Sequence, residues 1–149
     1  MFSGWNLTKV TTFLNMFSYA HRLERISLGT PLKTNSTASS TSGAANITSW
    51  AVNCTSMDFS AINAGIFTSS SNDQAQYCVS LIDFVPSQGY QKNTTFANCM
   101  KLSVDSVLRI FDALKTVTAA TTITLPTQAK NRLTTEQIAI ATQKGWTVA

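Results

Sequence analysis

Few side chains in this sequence could carry out chemistry. It has one histidine and seven Asp and Glu residues. As a general base, His21 would need a nucleophile and an orienting acid within hydrogen-bonding distance, and its neighbours Ala20 and Arg22 supply neither. Asp105 and Asp112 lie on one face of a predicted helix and resemble a catalytic carboxylate pair. A simpler explanation is that Asp105 is a negative charge in the first turn of the helix and that Asp112 lies on its solvated side.

The motifs that usually mark catalytic or metal sites are missing from the sequence. It contains no glycine-rich phosphate loop, no His-x-x-x-His pair and no Cys-x-x-Cys pair. A Cys–His catalytic pair stays an alternative, but three thiols at equivalent repeat positions suit packing better than one activated thiolate. We therefore expect no enzyme, no catalytic residue, no metal and no cofactor.

The three cysteines recur in one pattern, a small residue followed three positions later by an apolar one. Ala20, Cys54, Cys78 and Cys99 are aligned in this way, at intervals of 34, 24 and 21 residues. The later intervals fall in the range of about 20 to 29 residues that leucine-rich repeats occupy. A thiol packs like a small hydrophobe between stacked coils, so the pattern predicts a buried structural ladder. A disulfide pair or a metal site is the alternative, although an odd count and long separations favour neither.

The repeat pattern divides the chain into two predicted parts of one continuous domain. Residues 1–102 are coils interrupted by a low-complexity Ser, Thr, Ala and Gly insert at 30–49. The chain begins partway through a repeat, so we expect a protein partner or copies of itself to cover the N-terminal edge.

Residues 103–149 have the pattern of an α/β capping unit rather than of coils. Ser103 can cap a helix whose apolar residues recur at helical spacing from Val104. A strand over 122–125 follows. Thr134 and Gln137 then form a capping box for a second helix that reaches residue 144. Gly145 would end that helix before a last strand over 146–148.

Two segments resemble the Phe-x-x-Cys-x-x-Leu coils of the BspA-like leucine-rich repeat family. They run from Phe17 to Leu23, with Ala20 in the cysteine position, and over 96–102, with Cys99 there. The tail over 133–148 is similar to the C-terminal endings of phage and prophage tail-associated proteins. The resemblance implies an α/β fold, an irregular leucine-rich-repeat-like solenoid with short parallel strands, closed by a helix-strand-helix-strand cap.

The same resemblance implies a non-enzymatic module of a phage virion, associated with the tail or a tail fibre. Such a module would act by recognition of, or adhesion to, the surface of the bacterial host, and its ligand would be a host-surface glycan or protein. It would lie on the virion, at the phage tail or capsid exterior. A bacterial cell-surface adhesin fragment and a purely structural virion or capsid decoration subunit are the alternatives.

Three polar segments, at 30–49, 68–76 and 86–95, follow β-like runs and predict a binding edge. Within them we select side chains of types that contact sugars and proteins. These candidate ligand-binding residues are Asn72, Asp73, Tyr90, Gln91 and Lys92. By contrast, Trp5, Trp50 and Trp146 are expected to pack in the core or the cap.

Composition argues against two other classes of partner. The net charge is +4, but the 11 basic residues are scattered rather than clustered, so no nucleic-acid interface is predicted. No window approaches the roughly 18 apolar residues of a membrane span, so no membrane insertion is predicted. Only 12% of residues are charged, and about a quarter are Ser or Thr, a composition common in extracellular and virion proteins.

Overall fold

The chain forms a mixed α/β fold with short parallel strands and few helices. The computed structural model describes residues 6–7, 15–28, 33–34, 48–60, 62 and 73–149. In chain order the elements are β1 (Asn6–Leu7), β2 (Arg25–Ser27), β3 (Lys33–Thr34), β4 (Thr48–Ser49), β5 (Ser56–Asp58), β6 (Ala75–Gln76), β7 (Asp83–Val85), β8 (Thr94–Thr95), α1 (Val104–Ala113), β9 (Thr121–Thr124), α2 (Thr127–Lys130), α3 (Thr135–Thr142) and β10 (Trp146–Val148).

Strands β2, β5 and β7 form a three-stranded parallel sheet in the order of the chain. Their central residues, Ile26, Met57 and Phe84, are register partners and are buried. The residues on either side of each are exposed or half-buried. This alternation is the two-residue period of a strand with one face on a core. Successive strands here are 31 and 27 residues apart along the chain.

The other strand pairs in the described chain are also parallel. Strand β4 pairs with β6 and β1 pairs with β3, while β9 lies between β8 and β10. The pairing of Thr94 with Ile123 joins the predicted cap to the predicted coil region. Parallel pairing needs a long crossover connection, which explains why every partner strand lies more than 20 residues away along the chain.

A tight turn recurs before β2, β5, β7 and α1. In each, the N–H of the third residue after a small residue donates to the carbonyl oxygen of that small residue. The four bonds run from Leu23 to Ala20, from Cys54 to Ala51, from Leu81 to Cys78 and from Leu102 to Cys99, at 3.0 to 3.1 Å. The placement of Cys54 in the small-residue ladder is therefore wrong, because Ala51 holds that position and Cys54 takes the place of the leucine.

Aromatic side chains run through the core beneath the strands. Ring centroids are 6.4 Å apart between Phe17 and Phe59, 5.9 Å between Phe59 and Phe84, and 5.3 Å between Phe84 and Phe96. The four rings come from separate segments of the chain, and each is almost completely buried. The contacts therefore join these segments into one core.

Helix α1 covers the outer edge of β7 through polar contacts. Ser106 Oγ accepts from the Phe84 N–H at 2.9 Å and donates to the Ile82 carbonyl at 3.1 Å. Arg109 Nε donates to the Phe84 carbonyl at 3.0 Å, and its Nη2 forms an ion pair with Asp83. The backbone groups that an edge strand leaves unpaired are thus satisfied by side chains of the helix.

The signals for helix starts in the last 47 residues are confirmed. Ser103 Oγ accepts from the Ser106 N–H at the start of α1. Thr134 and Gln137 form the capping box of α3. That helix ends at Thr142, two residues before the predicted end, and the short helix α2 was not predicted.

The predicted insert at 30–49 extends too far. Thr48 and Ser49 form β4 and are buried, because their backbone pairs with β6 and the Thr48 hydroxyl donates to the Phe17 carbonyl at 3.0 Å. Lys33 and Thr34 form β3. The rest of the insert, and most of the predicted N-terminal edge, lie outside the described residues.

Candidate functional site: a lysine cleft and an aromatic row

The candidate residues chosen from the sequence separate in the structure. Tyr90 is fully buried and Asp73 nearly so, while Gln91 is half-buried and Lys92 is exposed. Asp73 Oδ1 accepts from the Thr95 N–H at 2.8 Å. Asn72 lies outside the described residues. The prediction that Tyr90 and Asp73 contact a ligand is therefore wrong for the chain in this conformation.

Tyr90 supports the local fold instead. Its hydroxyl has no hydrogen-bond partner among the described residues. Burial, with the nearby Asp73 and Cys99, raises the pKa of this hydroxyl well above its usual 10.0. The Tyr90 backbone bridges in parallel to Leu114, and its carbonyl accepts from the Lys115 N–H at 2.8 Å. These contacts hold the segment after Tyr90 against the segment after α1.

A surface cleft opens between those two segments, and we call it the lysine cleft. It consists of two adjoining depressions of about 360 Å³ and about 270 Å³. Both depressions are lined by Gln91 and Lys92, and Lys115 lines the larger one. The remaining lining residues are Asn93, Thr116, Val117, Thr118, Ala119, Ala120 and Thr121. Of the predicted ligand-binding residues, the structure thus brings Gln91 and Lys92 together on one concave surface.

One wall of the lysine cleft, at Lys115 and Val117, is held by hydrogen bonds to Lys144 and Trp146. The Val117 N–H donates to the Lys144 carbonyl at 2.9 Å, and Trp146 Nε1 donates to the Lys115 carbonyl at 2.8 Å. Gly145 has a φ of +87°, and a Cβ there would lie 2.3 Å from the Val117 carbonyl oxygen. Glycine is required at this position because the two backbones approach so closely.

The charge of the lysine cleft is positive. None of the described residues that line it carries a carboxylate. Lys115 Nζ lies 3.5 Å from Gln91 Oε1, at the limit of hydrogen bonding. Lys92 has no carboxylate partner among the described residues. The ion pair found there joins two other residues, Arg109 and Asp83.

A second surface feature lies on the turns, and we call it the aromatic row. Tyr19, Trp50 and Tyr77 each come directly before the small residue of a turn. The Trp50 and Tyr77 rings are stacked, with centroids 4.3 Å apart and planes at 10°. Trp50 is 41% exposed and Tyr19 is 66% exposed. The expectation that Trp50 packs in the core or the cap is wrong, whereas Trp146 is buried as expected, and Trp5 lies outside the described residues.

The backbone of the aromatic row is unusual for such bulky residues. The φ angles are +60° at Tyr19, +62° at Trp50 and +58° at Tyr77. This left-handed conformation costs a residue with a Cβ about 1 to 2 kcal/mol. Asn or Gly would adopt it at lower cost, so the turn geometry does not favour aromatic residues there. The signal in the sequence is an aromatic residue directly before each small residue, which the misplaced frame at Cys54 concealed.

The side chains considered for catalysis are not brought together in the described chain. His21 is exposed, with its ring 6.1 Å from that of Tyr19. The three cysteines are buried free thiols. Burial raises the pKa of Cys78 to about 12 and raises that of Cys99 as well, which disfavours the nucleophilic thiolate. No described group of three His, Cys, Asp or Glu side chains could hold a metal ion.

Among the described helices, none is both long enough and apolar enough to cross a membrane. Comparison of the chain with protein-family models, curated proteins and solved structures gave no match.

Proposed function

We propose that this chain is a recognition module of a phage virion, associated with the tail or a tail fibre, which binds the surface of the bacterial host and catalyses nothing. Its architecture would be an irregular, BspA-like leucine-rich solenoid with an α/β cap. Its place would be the virion exterior. The proposal rests on two resemblances, that of the coils to BspA-like repeats and that of the tail to phage tail-associated proteins. Two surface features, the aromatic row and the lysine cleft, support it.

Three regularities support the solenoid part of the proposal. The strands β2, β5 and β7 are in parallel register, the same hydrogen-bonded turn precedes each, and core rings from successive turns are in contact. In repeat architectures each unit packs on its neighbours, and equivalent positions form a continuous surface. The aromatic row occupies one such set of positions.

The observation that carries the recognition function is the strained backbone of the aromatic row. Tyr19, Trp50 and Tyr77 hold the same left-handed conformation in three successive turns. Strained residues cluster at functional sites, and exposed aromatic rings are frequent contact residues for proteins and sugars. The presence of aromatic residues at positions where Asn would fit at lower cost therefore supports a role of the rings in contacts outside the chain.

The test is binding of the fluorescently labelled chain to a panel of intact Gram-positive and Gram-negative bacteria, measured by flow cytometry. The Trp50→Asn and Tyr77→Asn variants remove the rings and keep a residue that tolerates positive φ. We expect at least one strain to bind the parent chain and not the double variant. Ile82→Asn is the matched control, since Ile82 is 46% exposed and lies outside the aromatic row.

A purely structural virion subunit is the second candidate, and a specific observation favours it. Val79 and Met100 are exposed apolar residues two positions after Tyr77 and Asn98 in their turns. Together with the aromatic row they would suit an interface between copies of the chain. Light scattering over a concentration series distinguishes the candidates. A stable multimer that Val79→Asn dissociates, with no binding to cells, would favour the structural subunit. A bacterial adhesin would bind the same kind of ligand from a different location.

A further inference from the structure

The basic side chains of the C-terminal part have two different uses. Several donate to main-chain carbonyls and hold the fold together. Lys144 Nζ donates to the Phe111 and Asp112 carbonyls at 2.8 Å, and Arg132 Nη2 donates to the Leu102 carbonyl at 2.7 Å. The two lysines of the lysine cleft do not take part in this kind of contact. Lys92 and Lys115 are exposed, face the same concavity and lack a carboxylate partner in the described chain.

Several other residues that line the lysine cleft have hydrogen-bonding side chains without charge, and these lie beside the apolar side chains of Val117, Ala119 and Ala120. The hydroxyls of Thr116 and Thr118 and the amide of Gln91 can donate and accept. The hydroxyls of a sugar ring have the same dual capacity. The two depressions share Gln91 and Lys92, so one elongated ligand can occupy both. The larger depression alone is in the size range of ligand sites, about 300 to 1,000 Å³.

We propose that the lysine cleft binds an acidic polysaccharide, with Lys92 and Lys115 contacting carboxylates of the polymer and the Thr and Gln side chains contacting its hydroxyls. The two lysines supply the charge that selects an acidic over a neutral sugar. None of the described lining residues is aromatic, so the cleft lacks the stacking surfaces that single-stranded nucleic acids use.

The site is pre-formed rather than assembled on binding. The bonds from Lys115 N–H to the Tyr90 carbonyl and from Val117 N–H to the Lys144 carbonyl fix the walls through main-chain atoms, and the Trp146 indole Nε1 donates to the Lys115 carbonyl. Fixed walls reduce the entropy lost on binding. Substitution of the lysine side chains therefore leaves the walls in place. The choice of a cell-surface polymer as ligand rests on the proposed recognition function, whereas the site itself rests on the geometry of the cleft.

The test is calorimetric titration of the purified chain with oligomers of polygalacturonate, alginate and hyaluronan at low salt. We expect binding to at least one, with affinity that falls as NaCl is raised. The fully methyl-esterified polygalacturonate oligomer has the same backbone without charge and should bind at least tenfold more weakly. Lys92→Gln with Lys115→Gln should weaken binding about tenfold or more, since hydrogen bonds to charged groups are the strong ones. Lys101→Gln changes an exposed lysine outside the cleft and should have no effect.

Three results would overturn the inference. They are no binding to any of the three acidic oligomers, equal binding by the double lysine variant, or equal binding to the esterified oligomer or to single-stranded DNA of the same charge. Failure of the proposed function is distinguishable from these. Loss of cell binding in the Trp50→Asn and Tyr77→Asn variant tests the aromatic row alone. Oligosaccharide binding without cell binding would refute the recognition function and leave the cleft assignment intact.

Discussion

Substitution of Gly145 by alanine tests how the end of the chain builds one wall of the lysine cleft. The φ of +87° at Gly145 costs a residue with a Cβ about 1 to 2 kcal/mol. The new Cβ would lie 2.3 Å from the Val117 carbonyl oxygen, well inside the 3.0 Å that real contacts respect. One of the two backbones must therefore move.

That movement has a calculable cost. Val117 is held by its N–H bond to the Lys144 carbonyl at 2.9 Å, and loss of such a bond costs about 1 kcal/mol. The total is about 2 to 3 kcal/mol, a large share of the roughly 5 to 15 kcal/mol by which domains are stable. Because Val117 lines the lysine cleft, the variant should also bind acidic oligosaccharide more weakly.

The assay is urea unfolding followed by tryptophan fluorescence, with the midpoint and slope compared between the parent and Gly145→Ala. Gly89→Ala is the control, because Gly89 has a φ of +88° and carries the same backbone cost. The Gly145 variant should lose about 1 kcal/mol more than the control. Equal losses in the two variants, or a loss below about 1 kcal/mol at Gly145, would refute the assignment of a close contact with Val117.

Three further predictions concern stability. Arg109→Met should lower the free energy of unfolding by about 1 to 3 kcal/mol, because it leaves the buried Phe84 carbonyl without its donor. Asp83→Asn should lower it by less than about 1 kcal/mol, because the Asp83 side chain is 55% exposed. Urea unfolding compares the two variants, and equal losses would contradict this order. The Cys78 thiol loses its proton from about pH 9.0 in the unfolded chain but keeps it up to about pH 12 in the folded chain, because burial raises its pKa. The free energy of unfolding should therefore fall as pH rises through this range, by up to about 1.4 kcal/mol per pH unit and per thiol. The decline should be shallower in Cys78→Val, and identical declines in the variant and the parent would contradict the prediction. Tyr19→Asn should raise the free energy of unfolding by about 1 kcal/mol, since it relieves the positive φ of an exposed residue. An unchanged or lower free energy of unfolding would argue against strain there.

Local signals made the C-terminal elements predictable. A helix start depends on residues within one turn of each other, so Ser103, Thr134 and Gln137 could be recognised as caps from the sequence. The parallel strands could be expected from the recurring apolar pattern. Their register could not, because it depends on hydrogen bonds between residues 20 to 30 positions apart.

The error at Cys54 illustrates that limit. A thiol is small enough for the position of Ala51 and apolar enough for the position of Leu81, so the residue type did not distinguish the two frames. The strand register between Met57 and Phe84 does distinguish them. The same three-residue shift concealed the aromatic row. With Ala51 in the frame, Trp50 falls into line with Tyr19 and Tyr77.

Tyr90 shows a different limit. Its neighbours are polar, and by composition the segment 86–95 reads as an exposed loop. Tyr90 is instead buried, and its backbone bridges to Leu114, just after α1, across 24 positions of the chain. A sequence pattern cannot indicate such a contact. Gln91 and Lys92, the two candidates that line the cleft, are the residues next to this buried side chain.

The two surface features have the physical properties that the proposed recognition function needs. The buried thiols Cys78 and Cys99 do not have those properties, and their raised pKa values keep them protonated at neutral pH. Binding needs exposed rings, charges without partners and a rigid backbone. Trp50, stacked on Tyr77, supplies an exposed ring, and Lys92 and Lys115 supply the charges. The bonds that fix the turns and the cleft walls supply the rigid backbone, so the free energy of contact with a ligand is not spent on ordering the site.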